Sequence, residues 1–529
     1  MLLALLLRTY GLRHLVYSNP DEALLSYFVV RVAQLSPVSP QPADNALANI
    51  LSWDYGWPLN VTYDLYLRAL DVLHVPVNEA TLALPTVAFG LLQCLLVFLL
   101  GRRFGGARAG LLGAAFVAVL PIFVGQGRSI GAVQASSGAL FLLAVLQAAR
   151  YFERPQGAKR QWLLGLCLGL HVSGDTQLVL GALVLLLFSA MWPRPAGYEG
   201  WYGWRRLVLR PGVLIPPVVL FAPFIPAYLY AVHLGYPDQT YLGSILMGHR
   251  PQWGFHLLPF LTDLGRNMGL LPLLLLPVAL ALRGRFGDGR YRWLLCWIGI
   301  TALPFVFAVT NEVTEAYTYH QHLATGLVLL LASALAALRP RRVGAALAAA
   351  AIVGALSFTL GGVLRLEPFP SQYSANKIPY GGLTANNGMK AAGYWVRENV
   401  PMSDDVFVAH DPAVTYWYLG REGIIGGYGA GMVRADSFLK QRDRIQVAVI
   451  PDQRQYYAPS LFVANGFRGH IVVRGGGREV LDIYTRQPLR QTLDTEQIDP
   501  LFDRTYNTLR TLIPPGAPYV PGKRPKGVD

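Results

Sequence analysis

Two adjacent carboxylates, Asp21 and Glu22 in the run Asn19-Pro20-Asp21-Glu22, follow an apolar N-terminal stretch. Ionisable groups beside a hydrocarbon boundary are costly to keep there and tend to be functional. A carboxylate in that place has the chemistry of a general base toward an acceptor hydroxyl. The pair fits the first turn of a helix equally well, where acids offset the helix dipole. The residues alone divide evenly between these two readings.

Other polar groups gather near the ends of apolar runs. His171, Ser173, Asp175 and Gln177 fall together between two such runs. Asp175, a carboxylate within this tight pair of apolar runs, is a functional candidate. Glu312, Glu315, Tyr317, Tyr319, His320 and His322 crowd a later connection. His320 and His322 are two apart and point to different sides of a helix, a poor metal signature. A phosphate or hydrogen-bonding role suits them better, and the identity of any metal is unknown.

Several chemistries lack their residues. There is no GxxxxGK[ST] loop for nucleotide phosphates, and the run Gly426-Gly427-Tyr428-Gly429-Ala430-Gly431 has no strand-to-helix frame and reads as a loop. Cys94, Cys167 and Cys296 sit inside apolar runs without a CxxC pair, as small buried hydrophobes would. The net charge of +14 is spread in short clusters between apolar runs, which argues against a nucleic-acid partner.

The elements that must position these groups are membrane helices. Charged residues make up 14% of the chain, against about 25% in soluble domains. A bilayer core takes about 20 apolar residues per helix. Candidate spans are 82–100, 109–125, 131–149, 161–173, 176–192, 212–232, 268–282, 293–310, 322–338 and 344–364, with the fourth and fifth as a tight hairpin. A partial span at the N-terminus brings the total to about eleven. Only Met1 to Leu7 precede Arg8, Arg13 and His14. Seven helical residues rise about 10 Å, a third of the hydrocarbon core, so the first helix is expected to be shorter than a full span, as after a late start codon.

Orientation follows from arginine and lysine. Alternate loops carry Arg102, Arg103 and Arg108; Arg150, Arg154, Lys159 and Arg160; Arg194, Arg205, Arg206 and Arg210; Arg283, Arg285, Arg290 and Arg292; and Arg339, Arg341 and Arg342. The opposite loops hold Arg31, Arg68, Arg128, Arg250 and Arg266. The richer set is cytoplasmic by the positive-inside rule. The expected fold class is therefore a multi-span all-α membrane bundle over 1–364, with a large first external loop at 18–80, and a soluble extracytoplasmic α/β domain over 365–529. Short amphipathic helices are expected on the membrane surface around 21–34 and 59–74. In the soluble domain a helix is expected over Asn387–Asn399, and strands over Val406–Ala409, Gln446–Ile450, His470–Arg474 and Glu479–Tyr484.

Three stretches resemble a known family. They are the Arg8–Glu22 region with its surface acid pair, the run Ala83-Leu84-Pro85 through Phe104-Gly105 to Leu120-Pro121, and Lys390-Ala391-Ala392-Gly393-Tyr394-Trp395-Val396-Arg397. They are similar to the polyprenol-phosphate-dependent glycosyltransferases of the GT-C fold, relatives of protein O-mannosyltransferases and of bacterial lipid A aminoarabinose transferases. The resemblance implies transfer of a hexosyl or pentosyl group from a polyprenyl-phosphate donor to an extracytoplasmic acceptor: a glycan, a lipid or a protein. It implies Asp21 as the catalytic carboxylate, with Glu22 beside it; the chemistry of the residues themselves adds Arg128, His320, Asp175 and Tyr319 as candidates on the substrate side. It places the chain in a bacterial-type inner membrane. The segment Gly127-Arg128-Ser129-Ile130-Gly131-Ala132-Val133 keeps the family's arginine but lacks two acids that many bacterial members carry there. A divalent cation, Mg or Mn, is therefore an open question. So is the alternative of a catalytically degenerate relative that binds lipid or a partner. A transporter would show two related halves and midplane charges; no internal repeat is visible.

The topology has a direct test. A cysteine at position 404 should react with an impermeant thiol reagent added outside the cell, and one at position 206 should not. Labelling of both from the same side would overturn the orientation.

Overall fold

The computed structural model describes residues 1–12, 20–35, 46–52, 56–130, 133–155, 157–174, 178–233, 240–243, 252–269, 288–309, 321–364, 366, 368–369, 388–409, 412–421, 424–425, 435–451, 457–475 and 478–494. They form two compact units. The first gathers Met1–Tyr10, Leu47–Thr62 and Leu84–Gly382; the second gathers Gly11–Ala46, Tyr63–Ala83 and Leu383–Asp529. A single boundary at 364/365 thus becomes an interleaved one, with 11–46 and 63–83 clustering with the C-terminal residues.

The first unit is helical. Among the described residues four helices are long and apolar enough to cross a membrane: Glu79–Val119, Gln134–Glu153, Pro211–His233 and Arg341–Val363. Leu180–Met191 and Gln321–Ala337 are shorter and apolar. Helices also run over Ala158–Val172 and Gly289–Phe307. The first of these and Leu178–Met191 occupy the two runs of the expected hairpin, whose connection at 175–177 lies outside the described residues; Ala158–Val172 packs on Pro211–Phe221, where Gly165 and Gly169 meet Gly212, Pro216 and Leu220. The expected span at 268–282 lies almost wholly outside the described residues. Glu79–Val119 is two helices in one, because Gly105 and Gly106 leave the helical region and Gly106 takes φ +79°. A side chain is strained at that φ, and a glycine there allows the chain to turn back.

Aromatic packing fills the interior of this unit. Phe188 stacks on Trp192 at 4.5 Å, and Trp293 meets Phe188 edge-on at 4.8 Å and Trp297 at 5.2 Å. Trp293 Nε1 donates to Val184 O at 2.9 Å, and the Tyr291 hydroxyl to Phe104 O at 3.1 Å, while Trp192 Nε1 and Trp297 Nε1 are buried without a hydrogen-bond partner among the described residues. The helix pair Pro211–Phe221 and Phe224–His233 is the opposite case. Leu214, Ile215, Val218, Val219, Ile225 and Leu229 are exposed along it. An apolar helix with an exposed apolar surface is what a lipid environment requires. Two-residue strands β1 (Gln252–Trp253) and β2 (Ala308–Val309) pair antiparallel in the same unit.

The second unit contains a six-stranded mixed sheet. Its strands are β3 (Asp405–Val408), β4 (Ile424–Ile425), β5 (Ile445–Pro451), β6 (Gly469–Gly475), β7 (Arg478–Thr485) and β8 (Arg490–Asp494), in the order β4-β3-β5-β7-β6-β8. β3 runs parallel to β4 and β5, and β6 parallel to β8, while β7 is antiparallel to both β5 and β6. The four expected strands and the helix before them, Met389–Asn399, are all present. Phe407, Phe438, Tyr457, Phe462, Phe467 and Tyr484 form the core, with Phe462 stacked on Tyr484 at 4.3 Å. Helices form at the two places expected, Pro20–Gln34 and Trp57–Val72, but in the first Leu25–Val30, Val32 and Ala33 are all buried, so it is not the amphipathic surface helix expected there. Arg68 ties them: its Nε bonds Asp64, and one Nη donates to Leu35 O at 3.0 Å.

A buried ion pair holds the opening helix of the C-terminal part. Lys390 Nζ lies 3.7 Å from Glu79 Oε1, with both side chains under one-tenth exposed. Removing one partner of such a pair leaves the other charge desolvated and uncompensated, a loss of about 3–5 kcal/mol. Lys390→Met should lower the thermal midpoint of the purified chain markedly, and adding Glu79→Gln should restore most of it. A single variant as stable as the parent would mean that the pair carries no such constraint.

Candidate functional site

Polar groups inside a membrane unit are the first place to seek function, because hydrocarbon makes each of them expensive. The first unit holds two such clusters.

The first cluster is built on Arg8 and Arg128, both fully buried. Arg8 lies on the helix Leu2–Thr9, and its guanidinium donates to Val117 O at 3.0 Å, Ala118 O at 3.4 Å, Phe123 O at 3.1 Å and Ala4 O at 3.1 Å. Val117 and Ala118 belong to the last turn of Glu79–Val119, whose carbonyls have no partner within their own helix. Pro121 follows at once and starts the short helix Pro121–Gln126. Arg128, just beyond that helix, returns the arrangement: it donates to Leu7 O at 3.3 Å and Tyr10 O at 2.7 Å, at the end of the helix that carries Arg8. Each arginine thus closes the carbonyl end of the other's neighbour, and a cation there also complements the helix dipole.

The guanidinium of Arg8 needs room between backbones. A Cβ on Gly90 or on Gly127 would stand 2.6 Å from Arg8 Nε. A side chain at either position would require the Arg8 guanidinium to shift, so both glycines leave it the room it occupies. Nearby, Thr86 donates to Ser129 O at 2.5 Å and Thr359 to Val119 O at 2.5 Å. The Nε–H of Arg8 and that of Arg128 are both buried without a hydrogen-bond partner among the described residues, and no carboxylate there pairs with either guanidinium.

The second cluster joins helices far apart in sequence. Gln321 Nε2 donates to Gln93 Oε1 at 2.8 Å, and Gln93 Nε2 donates to Ala135 O at 2.7 Å. Phe141 lies between two buried histidines, 5.3 Å from the ring of His171 and 4.7 Å from that of His322. Ser173 donates to Leu220 O at 3.2 Å, which also accepts from Trp57 Nε1 at 3.1 Å. Among the described residues no three His, Cys, Asp or Glu side chains come together as ligands for one ion.

Arg128 is the one expected site residue whose side chain is described. Asp21 and Glu22 fall in the first turn of the helix Pro20–Gln34, and their side chains lie outside the description. Asp175, Tyr319 and His320 lie outside the described residues altogether. Sequence reasoning names Arg8, His171 and His322 but does not bring them into a cluster, and it passes over Gln93 and Gln321. Their signal was available: a glutamine inside an apolar run, although less costly there than a charge, needs a hydrogen-bond partner at that depth.

No protein-family model matches the sequence, and no curated protein matches it. Solved structures do. ArnT from Cupriavidus metallidurans in the apo state matches with a TM-score of 0.59 at 15% identity, over 92% of this chain and 96% of that one. The same protein bound to undecaprenyl phosphate matches at 0.58, with the same identity and coverage. The apo oligosaccharyltransferase of Archaeoglobus fulgidus matches at 0.52 and 14% identity, over 86% of this chain and 69% of that one. At such identities a likeness establishes fold and leaves activity to the site. The chain is built on the GT-C fold of membrane glycosyltransferases, the fold that its sequence resembles.

Proposed function

We propose that this chain is an integral membrane glycosyltransferase that moves a sugar from a polyprenyl phosphate to an acceptor outside the cytoplasm. The observation that carries the reading is the pair of buried guanidinium groups in the membrane unit. Arg8 and Arg128 keep two positive charges and two unused Nε–H groups away from water, with only carbonyl oxygens as described partners. Buried charges are normally paired or coordinated, because the cost of desolvation is otherwise uncompensated. A lipid phosphate is an anion that can enter laterally from the bilayer, and charge-assisted hydrogen bonds would hold it. The bound undecaprenyl phosphate of the ArnT structure is the same class of ligand.

In this reading Asp21 takes the acceptor proton as general base, and Glu22 anchors the turn beside it. Arg128 holds the helix end at Leu7 and Tyr10 and offers its remaining donors to the phosphate as charge builds on the leaving group. Asp175, Tyr319 and His320 complete the contacts to the donor. About eleven spans thread the bacterial-type inner membrane, with the arginine-rich loops in the cytoplasm and the mixed sheet outside. The sugar is a hexose or a pentose, and the acceptor a glycan, a lipid or a protein. A divalent cation, Mg or Mn, is a further assignment that transfer in excess chelator decides.

A second reading has its own observation. The segment Gly127-Arg128-Ser129-Ile130-Gly131-Ala132-Val133 keeps the arginine but holds no carboxylate where many bacterial members carry acids, and Ser129, next to Arg128, is buried and neutral. A relative that binds the lipid without turning it over would look the same there. The two readings part on Asp21→Asn. As an enzyme the variant should lose transfer by about 10²–10⁴-fold while inserting and folding normally, measured by mass spectrometry of acceptors from cells with parent or variant gene. Full transfer with Asp21→Asn removes the base assignment; no transfer by the parent favours the binding relative. Arg128→Ala should raise the donor concentration needed for half-maximal rate. An unchanged donor dependence would assign Arg128 to the helix end alone.

A further inference from the structure

The connection between the apolar helix that ends at Met191 and the one that begins at Pro211 is more than a linker. It contains a nine-residue helix, Gly200–Val208. Trp201, Tyr202, Arg205, Arg206 and Leu209 are all exposed and spaced to share one face, while Gly203 and Leu207 are buried on the other. Trp201 is 69% exposed, Tyr202 73% and Leu209 52%. A solvated helix face does not normally carry three large apolar or aromatic groups beside two cations.

The helix is held rigidly in place. Trp204 donates its Nε1–H to Ser189 Oγ at 2.9 Å and stacks on Trp201 at 4.6 Å. The arginines of this connection divide into two kinds. Arg194 donates to Gly200 O at 3.2 Å, and Arg210 to Arg206 O at 2.9 Å and Pro155 O at 3.1 Å, so both brace the backbone. Arg205 and Arg206 donate to no described residue; the Arg206 guanidinium lies over the Tyr202 ring at 5.6 Å. Glu199 is the single carboxylate between Met191 and Pro211, so the connection carries a net positive charge.

We infer that the exposed face of Gly200–Val208 is a binding site for anionic phospholipid headgroups of the leaflet it meets. Trp201, Tyr202 and Leu209 enter the headgroup boundary, and Arg205 and Arg206 take the phosphates. Three facts select a lipid surface as the occupant. The helix lies within ten residues of one apolar helix end and three of another, so the bilayer surface is within its reach. Tryptophan and tyrosine concentrate at that depth, with the ring in the boundary and its polar edge in water. Two exposed guanidinium groups that form no ion pair among the described residues complement an anionic surface rather than a zwitterionic one. The inference needs the flanking helices to span a bilayer and is independent of any sugar transfer.

The full-length chain, reconstituted in nanodiscs of mixed phosphatidylcholine and phosphatidylglycerol, provides the test. Native mass spectrometry counts the lipids that stay bound on release. The parent should retain phosphatidylglycerol in preference to phosphatidylcholine. One arginine near an anionic surface is worth about fivefold in affinity, so Arg205→Gln with Arg206→Gln should weaken retention on the order of twenty-five-fold. Arg341→Gln with Arg342→Gln removes the same charge from another exposed pair and should leave retention unchanged. Acyl-brominated phosphatidylglycerol should quench the parent's tryptophan emission more than that of Trp201→Phe. No preference for phosphatidylglycerol in the parent overturns the inference, whatever the variants do. Equal losses in the two double variants would reduce it to bulk charge, and overturn it. Equal quenching of parent and Trp201→Phe would put the aromatic face outside the boundary, with the same consequence. Displacement of the retained lipid by free glycerol phosphate would assign the arginines to a soluble anion and also overturn it.

Discussion

A helix that ends away from water leaves carbonyl groups that hydrocarbon cannot satisfy, each at a cost of several kcal/mol. In this chain the turn at Leu120-Pro121 makes such an end inside the membrane unit, and the close of the first helix at Tyr10 makes another. Arg8 and Arg128 answer both at once by crossing over, each bonding the end of the helix next to the other. A hydrogen bond from a charged donor contributes about 1.5–3 kcal/mol, more than a neutral one. The exchange has a second consequence. It concentrates two positive charges in a dry place, and a dry positive site has the electrostatic character that a phosphate needs. The two side chains that close these helix ends are the same two that we propose meet a phosphate.

The rest of the membrane unit follows the same rule in weaker form. Gln93 and Gln321 bond each other and the backbone at Ala135, so that amides which would be expensive in lipid become ties between helices. The polar edges of Trp293 and Tyr291 donate to carbonyls at Val184 and Phe104. Outside, Pro211–His233 shows lipid an almost wholly apolar surface. Between these two surfaces polar groups have few places to go, and those that persist are tied into the bundle or available to a ligand.

The second unit solves a different problem with different means. Its mixed sheet buries one aromatic cluster, and the antiparallel β7 stands between the parallel pairs, so that β5 and β6 share one partner. At its margin His470 Nε2 lies 2.9 Å from the buried Asp482 carboxylate, and its ring stacks on Tyr484 at 4.8 Å. The Lys390–Glu79 pair joins the start of the C-terminal helix to a residue more than three hundred positions earlier. The compact unit therefore recruits 63–83 by a charge as well as by apolar contact, which a boundary drawn at a change of composition does not register.

What the sequence determined by itself was whatever depends on neighbours in the chain. Apolar run lengths marked the spans; Arg102, Arg103 and Arg108 marked the break within Glu79–Val119; strand-type composition marked β5, β6 and β7; and the Pro20-Asp21-Glu22 run fitted a helix start. These are local matters, fixed by the periods of helix and strand and by the conformational range of glycine and proline. Only the tertiary structure decided which distant groups meet. Arg8 reads in the sequence as a charge that ends a short apolar stretch, yet it bonds carbonyls more than a hundred residues away; Gln93 finds Gln321 across more than two hundred; Phe141 sets His171 beside His322. The strand order, with β7 between β5 and β6, was equally invisible. A hydrogen bond or ring contact across such a separation depends on how helices pack, and packing is set by the shapes of whole faces rather than by any spacing along the chain.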